Sequence, residues 1–353
     1  MTTIYETQPE RTDLPLVVMP AVLDAMTAPM KAQAARLKDM ARVRIYEEFT
    51  SDDDVIAERL RGADGLFVGG YHIGDELLRR ISGGSMPAGD GESADGGETG
   101  HVRCIVFCGT GVASYVNLAL ARELGVTVCN AEHYGDASVA EHTFALMLEL
   151  TRRVGELDRN VKSGNWAWKG GDGTQLAGKR LGIVGLGGIG LAVARIARAF
   201  GMKVAAWRSP VGHRDFDALG IEPYDSIGDL MAACDVISIH LPLIEGEGGT
   251  QGLVTAADLD RLRSGAMLVN TARAEVIEPG ALLARLRRGD VLAALDVYDR
   301  EPVRADDPLC AIPGIVLTPH VGWRTDAAFE ELTRQMVDDM IGFLQGRAVR
   351  VVT

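Results

Sequence analysis

Three polar side chains stand just past three short apolar runs: Arg273 follows 267–269 in Asn270-Thr271-Ala272-Arg273, Glu301 follows 292–295 in Asp296-Val297-Tyr298-Asp299-Arg300-Glu301-Pro302, and His320 follows 315–317 in Thr318-Pro319-His320. A guanidinium makes paired, charge-assisted hydrogen bonds to carboxylates and phosphates. An imidazole gains or loses a proton near neutral pH, and a neighbouring carboxylate orients it. Apolar runs of this length read as buried strands, and in open parallel α/β sheets ligands lie outside the carboxyl ends of the strands. Three strands ending this way bring an arginine, a glutamate and a histidine to one cleft.

A second feature supplies what that cleft would work beside. Gly185-Leu186-Gly187-Gly188-Ile189-Gly190 fits G-x-G-x-x-G, between an apolar strand at 181–184 and an apolar helix at 189–200. That context makes the pattern a dinucleotide site: Gly185 permits a tight turn, Gly187 lets the backbone approach a pyrophosphate, and Gly190 lets helix and strand pack closely. The helix start at Gly188 and Ile189 then offers free N–H groups to phosphate. The next strand ends in Trp207-Arg208-Ser209, with Arg214 soon after and no carboxylate until Asp215. Arg208 and Ser209 suit a ribose 2′-phosphate, so the reading leans to NADP(H) over NAD(H). The alternative is that Arg208 stacks on adenine or lies in solvent, with NAD accepted.

These segments need a scaffold, and the chain has room for one. Its 353 residues suggest two domains, and 47% hydrophobic with 24% charged residues is an ordinary globular balance. A net charge of −13 argues against nucleic-acid or membrane-surface partners. No apolar run approaches the roughly 18 residues of a membrane span. Residues 1–13 lack the pattern of a signal peptide. The five cysteines, at 104, 108, 129, 234 and 310, match no zinc or disulfide framework. A reduced cytoplasmic protein without a structural metal is expected.

Strands are expected at 16–19, 43–46, 66–69, 102–107 and 126–129, alternating with helices at 22–40, 52–61, 75–81 and 115–124. A second series has strands at 181–184, 204–207, 236–239, 267–269, 292–295 and 315–317. Such alternation predicts an α/β fold with parallel sheets. Residues 82–100, rich in Gly, Ser and acid, read as a flexible surface insertion. A long helix is expected over 137–161, bridging the two series, and an amphipathic one over 327–344.

The ordered set Gly109-Thr110-Gly111-Val112, Ser138-Val139-Ala140-Glu141-His142, Gly185 to Gly190, His240-Leu241-Pro242, Asn270 to Arg273, Asp296 to Pro302 and Thr318 to His320 closely resembles the D-isomer-specific 2-hydroxyacid dehydrogenases. The resemblance runs from about 102 to 322. It implies two Rossmann-like or flavodoxin-like domains with the active site in the cleft between them. A discontinuous substrate domain would take 1–130 and 325–353, and a dinucleotide domain 131–324. It also implies a homodimer formed through the cofactor domain.

The resemblance further implies hydride transfer between nicotinamide C4 and substrate C2. Arg273 would hold the substrate carboxylate and polarise its keto oxygen, His320 would be the general acid/base, and Glu301 would orient His320. The N–H groups of Thr110, Gly111 and Val112 would bind the carboxylate. Val139, His240, Pro242, Thr271, Ala272, Asp296 and Gly322 would line the cofactor. Tyr71, His72 and Trp323 are candidates for the wall around the substrate side chain, or serve only in packing. His142 reads as a helix-face histidine, and Trp166 and Trp168 as packing at the domain junction.

Departures from the family pattern are Ala274, where glycine usually follows the catalytic arginine, and a Gly- and Glu-rich 240–253 loop. Glu301, where formate dehydrogenases carry Gln, argues against formate oxidation. The lack of sequence after Thr353 argues against a phosphoglycerate dehydrogenase. A 2-keto acid reductase is the expected function. The rival is a dinucleotide-sensing, corepressor-like protein of the same superfamily without significant turnover.

Overall fold

The computed structural model describes residues 3–9, 11, 13–83, 101–210, 214–244 and 246–353. It divides into two compact units, Met1–Tyr134 with Thr325–Thr353, and Gly135–Arg324.

The first unit is built on a six-stranded sheet of β1 (Ile4–Glu6), β2 (Leu16–Met19), β3 (Arg42–Tyr46), β4 (Gly65–Val68), β5 (Cys104–Phe107) and β6 (Thr127–Asn130), in the order β1-β3-β2-β4-β5-β6. β2, β4 and β5 are buried at every residue, as strands covered on both faces must be. All pairings are parallel except β1 with β3. β1 is short and half-exposed, so it left no apolar run in the sequence. The helix Asp53–Arg59 starts where Asp52 accepts the N–H groups of Asp54 and Val55, both at 3.0 Å. Asn117 caps Leu118–Glu123 in the same way, so the helix expected from 115 begins three residues later, after a turn of 3-10 helix at Val112–Ser114. The helix expected over 22–40 ends at Ala34 and tightens into 3-10 geometry. The long C-terminal helix, Asp326–Leu344, packs on Asp24–Ala34. Beyond it the chain pairs with the free edge of β6, where the Val352 N–H meets the Val128 carbonyl at 2.9 Å.

The second unit holds a wholly parallel seven-stranded sheet: β7 (Arg180–Val184), β8 (Lys203–Trp207), β9 (Glu222–Tyr224), β10 (Val236–Ile239), β11 (Met267–Asn270), β12 (Leu292–Leu295) and β13 (Ile315–Leu317). Its order, β13-β12-β11-β10-β7-β8-β9, changes direction between β7 and β10. That switch leaves a crevice at the carboxyl ends of these strands, where the connections depart in opposite directions.

The single helix expected over 137–161 is two. Asp136–Arg152 ends at Arg153, whose φ of +48° is left-handed, and Val154–Lys162 follows. The first has nine buried side chains and the second has none. Both lie in the second unit.

The expected insertion falls almost wholly on 84–100, outside the described residues. Ser82 ends the helix Asp75–Ser82, and Gly83 caps it at φ +75°. Cys104, Cys108, Cys129 and Cys234 are buried free thiols, and Cys310 is exposed. Among the described residues no helix is long and apolar enough to cross a membrane, and no three metal-binding side chains cluster.

Candidate active site

The glycine loop joins β7 to the helix Gly188–Ala199 at the switch point. Gly185 has φ +104°, and a Cβ there would lie 2.5 Å from the His240 carbonyl oxygen. A Cβ on Gly190 would lie 2.2 Å from the Gly185 carbonyl oxygen. Both distances are far inside contact, so no side chain fits at either position. At Gly187 a Cβ would meet nothing within 4 Å, so the backbone that starts the helix is open. The N–H groups of Gly188, Ile189 and Gly190 precede the first intrahelical bond, Leu191 to Gly187. These residues fit a pyrophosphate: a cradle that excludes side chains, facing unpaired donors at the positive end of a helix.

His240 is buried beside the glycine cradle. It sits just past β10 with 7% of its surface exposed, and its Nε2 lies 2.7 Å from Ser238 Oγ. Burial pushes its pKa down to about 3, so the ring stays neutral. What it offers the cradle is its main-chain carbonyl. In the loop beyond it, the Pro242 carbonyl accepts the Thr250 hydroxyl.

At the neighbouring rim, Arg208 Nη1 lies 3.3 Å from Asp225 Oδ1, and its guanidinium sits 5.7 Å above the Phe216 ring. Asp225 follows β9, a strand the sequence did not reveal. Ser209 is half-buried next to Arg208.

The three reactive side chains follow three adjacent strands, β11, β12 and β13. His320 Nδ1 lies 2.8 Å from Glu301 Oε2, and Glu301 Oε1 accepts the Tyr298 N–H at 3.1 Å. Burial alone would raise the pKa of Glu301. The hydrogen bond and charge of His320, the Tyr298 N–H and the charge of Arg273 outweigh it and hold the carboxyl below its ordinary value. Arg273 therefore lies within electrostatic reach of this pair. Its Nη1 donates to the Ala272 carbonyl at 2.7 Å. Asn270 staples the arginine loop, donating to the Arg273 carbonyl at 2.9 Å and accepting the Ala272 N–H at 3.0 Å. Ala274 opens a short 3-10 turn and is not among the residues with positive φ, so this loop needs no glycine there.

Asp296 holds the histidine segment. Oδ1 accepts the Thr318 hydroxyl at 2.6 Å and the Val321 N–H at 3.0 Å, and Oδ2 accepts the Gly322 N–H at 2.8 Å. His142 Nε2 adds a contact of 3.0 Å to Thr318 Oγ1 and lies 3.5 Å from Asp296 Oδ1. Asp296 is 1% exposed, and burial works against its charge. The His142, Thr318, Val321 and Gly322 donors prevail and keep its pKa below the ordinary value. Gly322 fits closely here: a Cβ would lie 3.0 Å from Asp296 Oδ2 and 3.2 Å from the His142 ring, so a larger residue would press on the clamp. The sequence pointed to Asp296 and Gly322 as cofactor-lining. Their visible work is to clamp the main chain on either side of His320, whose own φ is +53°. Thr271 bonds Thr143 at 3.1 Å between hydroxyls, and Thr143 donates to the Val139 carbonyl, tying the end of β11 to Asp136–Arg152.

In the first unit, Thr110 donates to the Ala131 carbonyl at 3.1 Å and accepts Asn130 Nδ2 at 3.0 Å. Among the described residues no acceptor faces the N–H groups of Thr110, Gly111 and Val112, while the Val112 side chain is buried. Tyr71 is not exposed wall. It is 2% exposed within the apolar core, and burial raises its pKa. His72 is exposed and stacks on Tyr115 at 4.5 Å. Trp323 is half-buried in the second unit, its side chain against Gly135. Trp166 and Trp168 do not serve as packing: they are 77% and 85% exposed.

If Asp296 is the clamp, Asp296→Ala leaves the half-buried Val321 and buried Gly322 N–H groups unpaired and strips the Thr318 hydroxyl of its carboxylate partner. It should lower the unfolding free energy by about 3 kcal/mol in urea titration. A change below about 0.5 kcal/mol would remove Asp296 from that role.

Comparison with known proteins agrees with this geometry. Residues 144–322 match the model of the D-isomer specific 2-hydroxyacid dehydrogenase, NAD binding domain. The glycerate dehydrogenase of Methylorubrum extorquens is 30% identical over 321 residues, covering 87% of this chain and 91% of that protein. The D-3-phosphoglycerate dehydrogenase of Archaeoglobus fulgidus is 33% identical over 251 residues, 71% of this chain, but the match spans only 47% of that longer protein. The apo structure of D-lactate dehydrogenase from Escherichia coli shares the fold with a TM-score of 0.80 over 96% of this chain and 100% of that one, at 23% identity. A sheet switch with a glycine cradle, an adjacent His–Glu pair and these matches give one conclusion: the chain belongs to the D-isomer specific 2-hydroxyacid dehydrogenase family.

Proposed function

We propose that the protein is an NAD(P)-dependent D-2-hydroxyacid dehydrogenase working mainly as a 2-keto acid reductase. The observation that carries this reading is the His320–Glu301 pair, 2.8 Å apart, on the same sheet edge as the glycine cradle. Gly185, Gly187, Gly188, Ile189 and Gly190 would hold the pyrophosphate, and Arg208 with Ser209 a 2′-phosphate when one is present. The bound nicotinamide supplies or accepts the hydride at substrate C2.

The chain's own residues do the rest. Arg273 binds the substrate carboxylate and draws electron density from the keto oxygen. Glu301 occupies His320 Nδ1, which leaves Nε2 to give a proton to the oxygen in reduction and to take it back in oxidation. Asp296 keeps His320 in place. Trp323 is assigned to the substrate side chain.

The direct test follows NADPH and NADH oxidation with glyoxylate, hydroxypyruvate, pyruvate and phenylpyruvate. Turnover on at least one is expected, falling by about 10²–10⁴-fold in His320→Ala. Tight dinucleotide binding with no turnover on any keto acid would favour a sensor instead.

The coupling of the pair has a sign. His320 Nδ1 and Glu301 Oε2 share a hydrogen bond of 2.8 Å, and an anionic acceptor attracts a charged donor more strongly than a neutral amide does. Reduction needs that proton and fades as pH rises. Glu301→Gln should move the alkaline limb of kcat/KM for reduction to lower pH, and an unmoved limb would uncouple the two residues.

We assign a homodimer contact to the second unit. The helix Val154–Lys162 buries no residue, and Val154, Val161, Trp166 and Trp168 are 62%, 53%, 77% and 85% exposed. A nine-residue helix is too short to be stable on its own in water, and exposed large apolar residues on one short stretch of chain suit a contact surface. Trp166→Ala with Trp168→Ala should convert dimer to monomer in light scattering at micromolar concentration. A double variant that stays dimeric would place the interface elsewhere.

A further inference from the structure

β8 and β9 pair in parallel with Trp207 opposite Tyr224, so both strands end at the same edge of the sheet. The residues that follow are neighbours. The Arg208 N–H donates to the Tyr224 carbonyl at 2.7 Å, and the Arg208 guanidinium faces the Asp225 carboxylate at 3.3 Å. The side chains are 52% and 84% exposed. An ion pair this exposed contributes little to stability, and its geometry is not needed to hold either strand, since the main-chain bond does that. Its chemical consequence is larger: the cation suited to a phosphate has an anion beside it.

We infer that Asp225 is a cofactor-specificity residue that weakens the recognition of a ribose 2′-phosphate by Arg208. This rests on the reading of Arg208 given above. A 2′-phosphate carries nearly two negative charges and three acceptor oxygens, so it displaces the carboxylate from the guanidinium. The carboxylate stays attached to the chain a few ångströms away and repels the same phosphate. A dinucleotide without that phosphate meets no such repulsion. The expected result is a protein that binds both NAD⁺ and NADP⁺, with the preference for NADP⁺ held down by Asp225.

Calorimetric binding of NADP⁺ and NAD⁺ to the full chain tests this without reference to turnover. In Asp225→Asn, NADP⁺ should bind about fivefold more tightly at low salt, the scale of one unit charge acting across a solvated site. NAD⁺ binding should stay constant, and the gain should shrink at 0.5 M salt, where the Debye length is only about 4 Å. Arg208→Gln separates the two readings. If it weakens NADP⁺ binding while Asp225→Asn changes nothing, the inference about Asp225 is overturned and the role of Arg208 stands. If Arg208→Gln leaves both dinucleotides unaffected, Arg208 is not at the 2′-phosphate and both readings fall. An equal gain for both dinucleotides in Asp225→Asn would also overturn the inference, since that is a general charge effect.

Discussion

The Asp296 carboxylate is the constraint on which the candidate site depends. It is buried, it stays ionised against the cost of burial, and its oxygens gather donors from Thr318, Val321 and Gly322. Those donors bracket His320. A histidine in the left-handed region is strained, and strain of this kind persists only where the surroundings hold it. Asp296 comes from the end of β12 and the loop from the end of β13, so one side chain converts strand adjacency into a fixed imidazole. The ring then has two separate supports: its main chain is clamped by Asp296, and its Nδ1 is occupied by Glu301.

The same logic works through glycine at the cradle. Gly185 and Gly190 are excluded from bearing side chains by main-chain oxygens, which cannot move aside without breaking the sheet or the helix. Gly187 is different: it has space, and leaves its backbone uncovered. Two glycines thus close the turn and one opens it. In the first unit, Asn130 plays a comparable part for the segment at 110–112, donating to the Thr110 carbonyl while its own N–H takes the Arg350 carbonyl from the C-terminal tail.

What was legible in the sequence follows from burial. β2, β4 and β5 are unbroken apolar runs because both faces are covered, β10 and β11 are interrupted only by Ser238 and Asn270, and such runs stand out. β1 and β9 are three residues long and half-exposed, so they have no such signature. The loss of β9 hid Asp225, which is far from Arg208 in the chain and reaches it only through strand pairing. The break at Arg153 was hidden for the opposite reason: apolar residues continue on both sides of it, and periodicity does not reveal that those beyond it face solvent. Tyr71 misled because it follows a strand end, as functional residues do, yet its ring turns into the core. The arginine, glutamate and histidine were readable because each is anchored to a strand end by a short, rigid segment.

The charges of the second unit form a graded series, and the grading is physical. Asp296 and Glu301 are both held below the ordinary carboxylate pKa against a burial cost, but for different ends. Asp296 is 1% exposed and spends its acceptor capacity on donors of the histidine segment, which leaves it a fixed anion. The Glu301 side chain is 37% exposed and spends one oxygen on a main-chain N–H and the other on a titratable ring, so its charge is answerable to the protonation of His320. Asp225 is 84% exposed and faces a cation that solvent or a ligand can claim. Burial and the number of committed hydrogen bonds therefore sort three carboxylates in one sheet edge. The first is committed to the main chain around His320, the second is bonded to the His320 ring, and the third stays open to solvent beside a cation.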